Sequence, residues 1–159
     1  MAAHREFEAE ADSTDTAFPF LLFWKPDLAW ADYLRLLGGL REGSDVPDDF
    51  VRSAFLLAEA DNELVGRVSI RFELNAQLAT GGGHIGYGVR PRFRRRGYAT
   101  AILRQGVALA RAEGVGRVLV VCDDHNTWSA KVIERCGGLL ESVVTPDDNR
   151  PPLRRYWIG

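Results

Sequence analysis

Between His84 and Gly138 the sequence switches twice from a strand pattern to a helix pattern, and that alternation restricts the possible folds more than any other feature. His84–Val89 is a short strand in which Gly86 and Gly88 alternate with Ile85, Tyr87 and Val89. Glycine at alternate positions removes packing from a strand, so something is expected to approach one face closely. Pro91 stops this strand and pushes Arg90 toward an extended conformation. Tyr98–Glu113 follows as a helix with Ala99, Ile102, Leu103, Val107 and Ala110 in an apolar stripe and Gly114 as its stop. Val118–Cys122 is continuously apolar, the signature of a central strand covered on both faces. Asn126 suits the N-cap of a helix with Val132, Ile133 and Cys136 on its apolar face, ended by Gly137-Gly138.

The flanks complete an α/β (α+β) pattern, a mixed sheet with helices packed against it. Leu28, Tyr33, Leu34, Leu37 and Leu40 predict a helix from Asp27 closed by Gly38-Gly39, and Pro47-Asp48-Asp49 the first turn of a second short helix. Ala54–Glu59 and Leu64–Leu74 read as a hairpin turning at Asn62. Asn75–Gly83 reads as a loop in which the triple glycine disfavours a regular helix. Leu139–Thr145 and Leu153–Ile158 are the last strands, separated by the polar turn Pro146–Pro152. With no repeat or linker, residues 18–159 are expected to form one domain, preceded by a flexible segment over 1–17.

With 159 residues, 46% of them hydrophobic, the chain can bury a core without disulfide or metal staples. Cys122 and Cys136 have only His125 between them, which is no zinc pattern, so no metal is expected. They read as reduced thiols, which points to the cytoplasm. Met1–Asp15 lacks the basic start and apolar run of an export signal, and no segment has the length of a membrane span. A net charge of -2 gives no global attraction for nucleic acid, so neither nucleic acid nor membrane is an expected partner.

Arg90, Arg92, Arg94, Arg95 and Arg96 nevertheless place five guanidinium groups in seven residues, just before a helix start. The first amides of a helix have no intrahelical acceptor, and the helix dipole favours negative charge there. Gly97 leaves room for a phosphate oxygen, Ala99 keeps the first turn accessible, and the arginines add charge-assisted contacts. A diphosphate matches this cradle in size. A solvated arginine-rich loop or an anion- or RNA-binding patch would use the same residues. The glycine patterns of dinucleotide folds and of the phosphate-binding loop of nucleotide hydrolases are both absent.

Val89–Thr100, VRPRFRRRGYAT, resembles the pyrophosphate signature of the GCN5-related N-acetyltransferase (GNAT) superfamily, with Arg94, Gly97 and Ala99 at its defining positions. HIGYGVRP over His84–Pro91 resembles that family's splayed central strand, and NTWSAKVIERCGG over Asn126–Gly138 its last coenzyme-contacting helix. GGGHIGYGVRP and RRYWI are similar to a bacterial subgroup of uncharacterised predicted acetyltransferases. The resemblance implies the acyl-CoA N-acyltransferase fold: a mixed sheet, helices on both faces, and a splayed central strand pair that receives acetyl-CoA as cosubstrate.

The function implied is transfer of the acetyl group to a primary amine by direct attack through a tetrahedral intermediate. The acceptor would be an amine-bearing small molecule or peptide. Val89 would face the pantetheine arm and thioester. Arg90, Arg94, Arg95, Arg96, Gly97, Tyr98, Ala99 and Thr100 would surround the pyrophosphate, with Asn126 and Ser129 nearby. Asn126 serves equally well as a helix cap. An ammonium acceptor must lose a proton, and His84 or Glu73 is the candidate base, beside ordered water. The family's usual acid, a tyrosine seven residues after the position of Asn126, is replaced by Ile133. Tyr87 is a candidate substitute. A non-catalytic acyl-CoA sensor of the same fold is the main competing function. The apolar C-terminal strand could support a homodimer.

Overall fold

A computed structural model describes residues 5, 6, 20–146 and 151–159. The expectation for 1–17 therefore lies outside the described residues except at Arg5 and Glu6, and the centre of the turn after Pro146 lies outside them too. Helix α1 spans Trp30–Glu42, followed by the hairpin β1 (Ser53–Ala60) and β2 (Glu63–Arg71). A π-helical turn, Leu78–Gly82, leads into β3 (Ile85–Val89), and a 3-10 turn, Pro91–Phe93, leads toward α2 (Tyr98–Ala112). Then come β4 (Val118–Asp123), α3 (Thr127–Arg135), β5 (Gly138–Val144) and β6 (Leu153–Ile158). The strands form one six-stranded mixed sheet in the order β1-β2-β3-β4-β6-β5.

The first helix differs from the expectation at both ends. It starts at Trp30 and runs through Gly38-Gly39 to Gly43, whose φ of 76° makes it the left-handed C-cap. Gly39 is small for another reason: a Cβ there would lie 2.9 Å from Cβ of Asp45, where the following loop folds back. The second short helix is absent. Pro47 only opens a turn closed by Phe50 N–H donating to Pro47 O at 2.8 Å, because β1 begins three residues later. At the hairpin, Asp61 and Asn62 both take positive φ (51° and 61°), the geometry that matches the twist of paired strands.

Strand alternation divides the core into two faces. On one, α2 presents Ile102, Leu103, Val107 and Ala110 to Val68, Ile70, Ile85 and Val120, joined by Ala130 and Ile133 of α3. Gly106 allows close approach, since a Cβ there would sit 3.3 Å from Val68. On the other face Tyr33 and Leu37 of α1 pack with Phe20, Leu21 and Phe55. The β2 residues turned to that face are Arg67, Ser69 and Arg71, and Arg67 is fully buried. Each buried large aliphatic contributes about 1.5–3 kcal/mol, so α2 and with it the start of the helix are firmly held.

The central strands separate. β2 and β3 stay paired from Ile70↔Ile85 to Gly66↔Val89, and β4 stays paired with β6 over its whole length. Between β3 and β4, which run parallel, only Ile85↔Val120 is in register. His84 fastens the joined end, its N–H donating to Leu119 O at 2.7 Å and its Nδ1 accepting from Leu119 N–H at 2.8 Å. Past that clamp the strands diverge and leave a gap.

Candidate functional site

Hydrogen-bond parity shows what β3 offers to the gap. Arg71 N–H donates to His84 O and Arg90 N–H to Val65 O, which makes the alternate positions Gly86 and Gly88 the ones bonded to β2. The N–H and C=O groups of Tyr87 and Val89 therefore point to the opposite edge, into the gap. Gly66 keeps β3 close to β2, because a Cβ on it would lie 2.4 Å from Gly88 O.

Beyond Val89 the chain turns through Pro91–Phe93 and reaches α2 by way of two left-handed residues, Arg95 (φ 61°) and Gly97 (φ 86°). A positive φ at arginine is strained, and such strain concentrates at binding sites. No side chain caps α2; its first backbone bond is Ala101 N–H to Gly97 O at 3.1 Å, so the amides of Tyr98, Ala99 and Thr100 precede the helical ladder. A Cβ at Gly97 would meet nothing within 4 Å, which means open space lies over the helix start.

The five arginines do not act alike. The Arg90 side chain is 6% exposed and turned away from the gap: Nε and Nη2 donate to Glu6 Oε2 at 2.8 and 2.5 Å, and Nη1 to Leu64 O at 2.7 Å. A partner distant in sequence thus neutralises the guanidinium, which sequence alone placed beside the pyrophosphate. Arg92 pairs with Glu63 at 3.0 Å. Arg94 Nε donates to Val89 O at 3.1 Å and braces the turn. Phe93 is buried, with the guanidiniums of Arg90, Arg92 and Arg96 4.8–5.8 Å from its ring. Arg95 and Arg96 are exposed beside the open helix start.

Across the gap stands α3. Asn126 is its N-cap, with Oδ1 accepting from Ser129 N–H at 3.0 Å. Tyr87 Oη lies 2.9 Å from Ser129 Oγ, so a tyrosine on β3 and a serine on α3 meet over the space between the strands. Burial pushes the Tyr87 phenol up to about 12, against a smaller lowering by its bond to Ser129. Ile133 is wholly buried in the core.

The candidate bases are placed differently. His84 is 7% exposed, and burial, then the charge of Arg71, lower its pKa. A neutral imidazole has one lone-pair nitrogen, and here it accepts from Leu119 N–H. Taking a proton at that nitrogen would break its bond to Leu119 N–H, one of the two bonds that clamp β3 to β4. Glu73 is exposed just past β2, with Oε1 3.4 Å from Arg52 N. Cys122 and Cys136 are free thiols, both raised in pKa by burial. Among the described residues no group of three or more His, Cys, Asp or Glu is placed to hold a metal, and no helix is long and apolar enough to cross a membrane.

A cavity of about 270 Å³ opens on the α1 face, lined among others by Leu37, Phe50, Phe55, Ser69, Arg71 and Leu78. Its walls include the first helix and the loop Asn75–Gly83, where an acceptor end is expected from the sequence; reading Leu64–Leu74 only as a hairpin strand hides the polar groups that β2 turns to it. The signal was present as Arg67, Ser69 and Arg71 at a spacing of two.

The fold has counterparts in known structures. The chain is similar to the microcin C7 self-immunity acetyltransferase MccE in complex with acetyl-CoA and AMP, at 19% identity over 80% of this chain and 68% of that one, TM-score 0.59. It is similar to RimL, a ribosomal L7/L12 alpha-N-protein acetyltransferase in complex with coenzyme A, at 16% identity over 99% and 86%, TM-score 0.63. An acetyltransferase of the GNAT family from Streptococcus pneumoniae aligns at 13% identity over 99% and 92%, TM-score 0.62. No curated protein matches the chain. The model of the acetyltransferase (GNAT) family matches residues 17–138, across β1 to α3 and the gap they enclose, and the chain belongs to that family.

Proposed function

We propose that the chain transfers the acetyl group of acetyl-CoA to a primary amine. The observation that carries this reading is the continuity of two features: the edge of β3 at Tyr87 and Val89, which has no strand partner, and the open, uncapped start of α2 that follows it. The α2 amides and the exposed Arg95 and Arg96 would hold the pyrophosphate, the β3 edge would hold the pantetheine arm, and the Val89 N–H would polarise the thioester carbonyl. Two relatives of this fold are described as complexes with acetyl-CoA or CoA, which supports the same cosubstrate here.

The amine attacks the thioester carbon directly, and the resulting tetrahedral intermediate collapses with loss of the thiolate. Tyr87 is the group we assign to that thiolate. A phenol near 12 does not surrender its proton to a thiolate whose acid has a pKa of about 8.5. It remains protonated and donates a hydrogen bond, with Ser129 fixing its direction, while solvent completes protonation. Deprotonation of the acceptor falls to water in the gap, since His84 is engaged in the clamp.

A cavity of about 270 Å³ walled by α1, β1 and β2 offers room for an acceptor, which favours transfer over a non-catalytic sensor. The RNA alternative weakens because Arg90, Arg92 and Arg94 are engaged within the protein. Calorimetric titration with acetyl-CoA, followed by CoA release across a panel of amines, tests the reading. Saturable binding with amine-dependent release is expected; no saturable binding refutes it.

A further inference from the structure

We infer that Asp123 receives the acceptor nitrogen: its carboxylate, on the β4 bank of the gap, holds the incoming amine as an ammonium ion and stabilises the positive charge that returns to nitrogen on attack. The inference rests on the transferase reading above.

Register and alternation place this group. Ile85 is opposite Val120 in the parallel pair, so three residues further on Gly88 and Asp123 stand level on the two banks of the gap. Val121 is paired with Arg155, whose guanidinium reaches the carbonyls of Ala79 and Thr80 in the π-helical turn on the α1 face. A Cβ on Gly83, just past that turn, would lie 3.4 Å from Cγ2 of Val121. Val121 therefore faces the α1 side, and Asp123, two residues on, faces it too. Pairing with Leu153 and a bond from Asn126 N–H to Asp123 O at 2.9 Å fix the backbone there.

The two sides of the gap are unequal. On the α2 and α3 side Tyr87 meets Ser129 and closes the space. On the α1 side Gly86 and Gly88 leave β3 without side chains, so from this side an acceptor comes within reach of the Val89 N–H, one residue beyond the level of Asp123.

The charges on this side leave Asp123 available. It is half-buried, and among the described residues no hydrogen bond or ion pair engages its carboxylate. The adjacent Asp124, by contrast, is paired with Arg154 at 2.7 Å. Arg155, on the same face of β6, is held by Glu141 at 2.8 Å. Arg67, opposite Gly88, stands on the far side of β3 from the gap. A carboxylate half removed from water attracts a cation more strongly than one in bulk solvent. In the reaction, water takes one proton from the bound ammonium, and the freed lone pair forms the N–C bond. Nitrogen is then cationic in the tetrahedral intermediate and donates to Asp123, until water takes the second proton and the C–S bond breaks with loss of the thiolate. The contact is thus made in the transition state as well as in the bound ammonium.

CoA release from acetyl-CoA near neutral pH, with tyramine, spermidine, lysine amide and trialanine as acceptors, tests this beside calorimetric acetyl-CoA affinity and Tm. Asp123→Asn and a second neutral replacement, Asp123→Ser, should lower kcat/KM for each accepted amine about 10- to 150-fold, with acetyl-CoA affinity unchanged. Asp123→Glu should recover part of the loss. Asp124→Asn, which removes the neighbouring carboxylate, should keep kcat/KM within about twofold. Undiminished kcat/KM in the neutral variants overturns the inference, as does an equal loss in Asp124→Asn or no recovery with Glu. Saturable acetyl-CoA binding with none of these amines acetylated overturns the inference alone, since a carboxylate that receives ammonium ions would take at least one of them. Absence of acetyl-CoA binding overturns the transferase reading and this inference with it.

Discussion

Replacing Gly97 by alanine separates two roles that one residue plays. Its φ of 86° lies in the left-handed region, where a Cβ costs about 1–2 kcal/mol. No atom lies within 4 Å of that Cβ, so the strain is the whole effect on folding. For a chain of this length that corresponds to a fall in Tm of about 2–8 °C. The same methyl occupies the space over the α2 amides. If a phosphate oxygen binds there, one charge-assisted hydrogen bond worth about 1.5–3 kcal/mol is lost, which weakens the Kd for acetyl-CoA about 10- to 150-fold. Gly114, just beyond the other end of α2, provides the control: its φ is 94° and a Cβ there also meets nothing within 4 Å. Gly114→Ala should reproduce the loss of Tm and leave Kd unchanged. Calorimetric titration and thermal unfolding of both variants measure the two quantities separately. Equal Kd values for the two variants, with similar Tm, would refute the phosphate role of Gly97.

Two further predictions concern side chains at the gap. Tyr87→Phe should lower kcat by about 10- to 100-fold with little change in acetyl-CoA affinity, as expected for a hydrogen bond that strengthens only as the thiolate forms; an unchanged kcat would show that the thiolate leaves unaided. His84 has a folded pKa below the about 6.5 of an unfolded chain, so between the two values the unfolded state binds more protons and stability rises with pH. The stabilisation is thus complete above about 6.5 and disappears as pH falls toward the folded value. Tm scans over that window should show the rise, and His84→Gln, whose side-chain oxygen can still accept from Leu119 N–H, should flatten it. An undiminished slope in the variant would assign the effect to other groups.

The strand and helix order was legible because hydrophobic period and glycine punctuation are local properties. Val118–Cys122, the α2 stripe and the Asn126 cap needed no tertiary information. What escaped the sequence depends on partners far along the chain. Arg90 looked like a ligand-binding arginine because Glu6 is 84 residues away. His84 looked like a base because nothing local shows Leu119 N–H on its ring, 35 residues further on. Gly38-Gly39 looked like a helix stop because the approach of Asp45 is invisible until the loop folds back. The divergence of β3 from β4 was expected only through resemblance, since strand propensity contains no term for where two paired strands part. The meeting of Tyr87 with Ser129 likewise joins two residues that the sequence nominated separately.

Backbone amide chemical shifts on titration with CoA show whether the β3 edge and the α2 start form one acetyl-CoA cradle. The largest changes are expected at Tyr87, Val89 and Gly97–Thr100, with the amides of Leu56 and Leu57 on the remote strand β1 unmoved. Binding that shifts other surfaces while these amides stay still would contradict it.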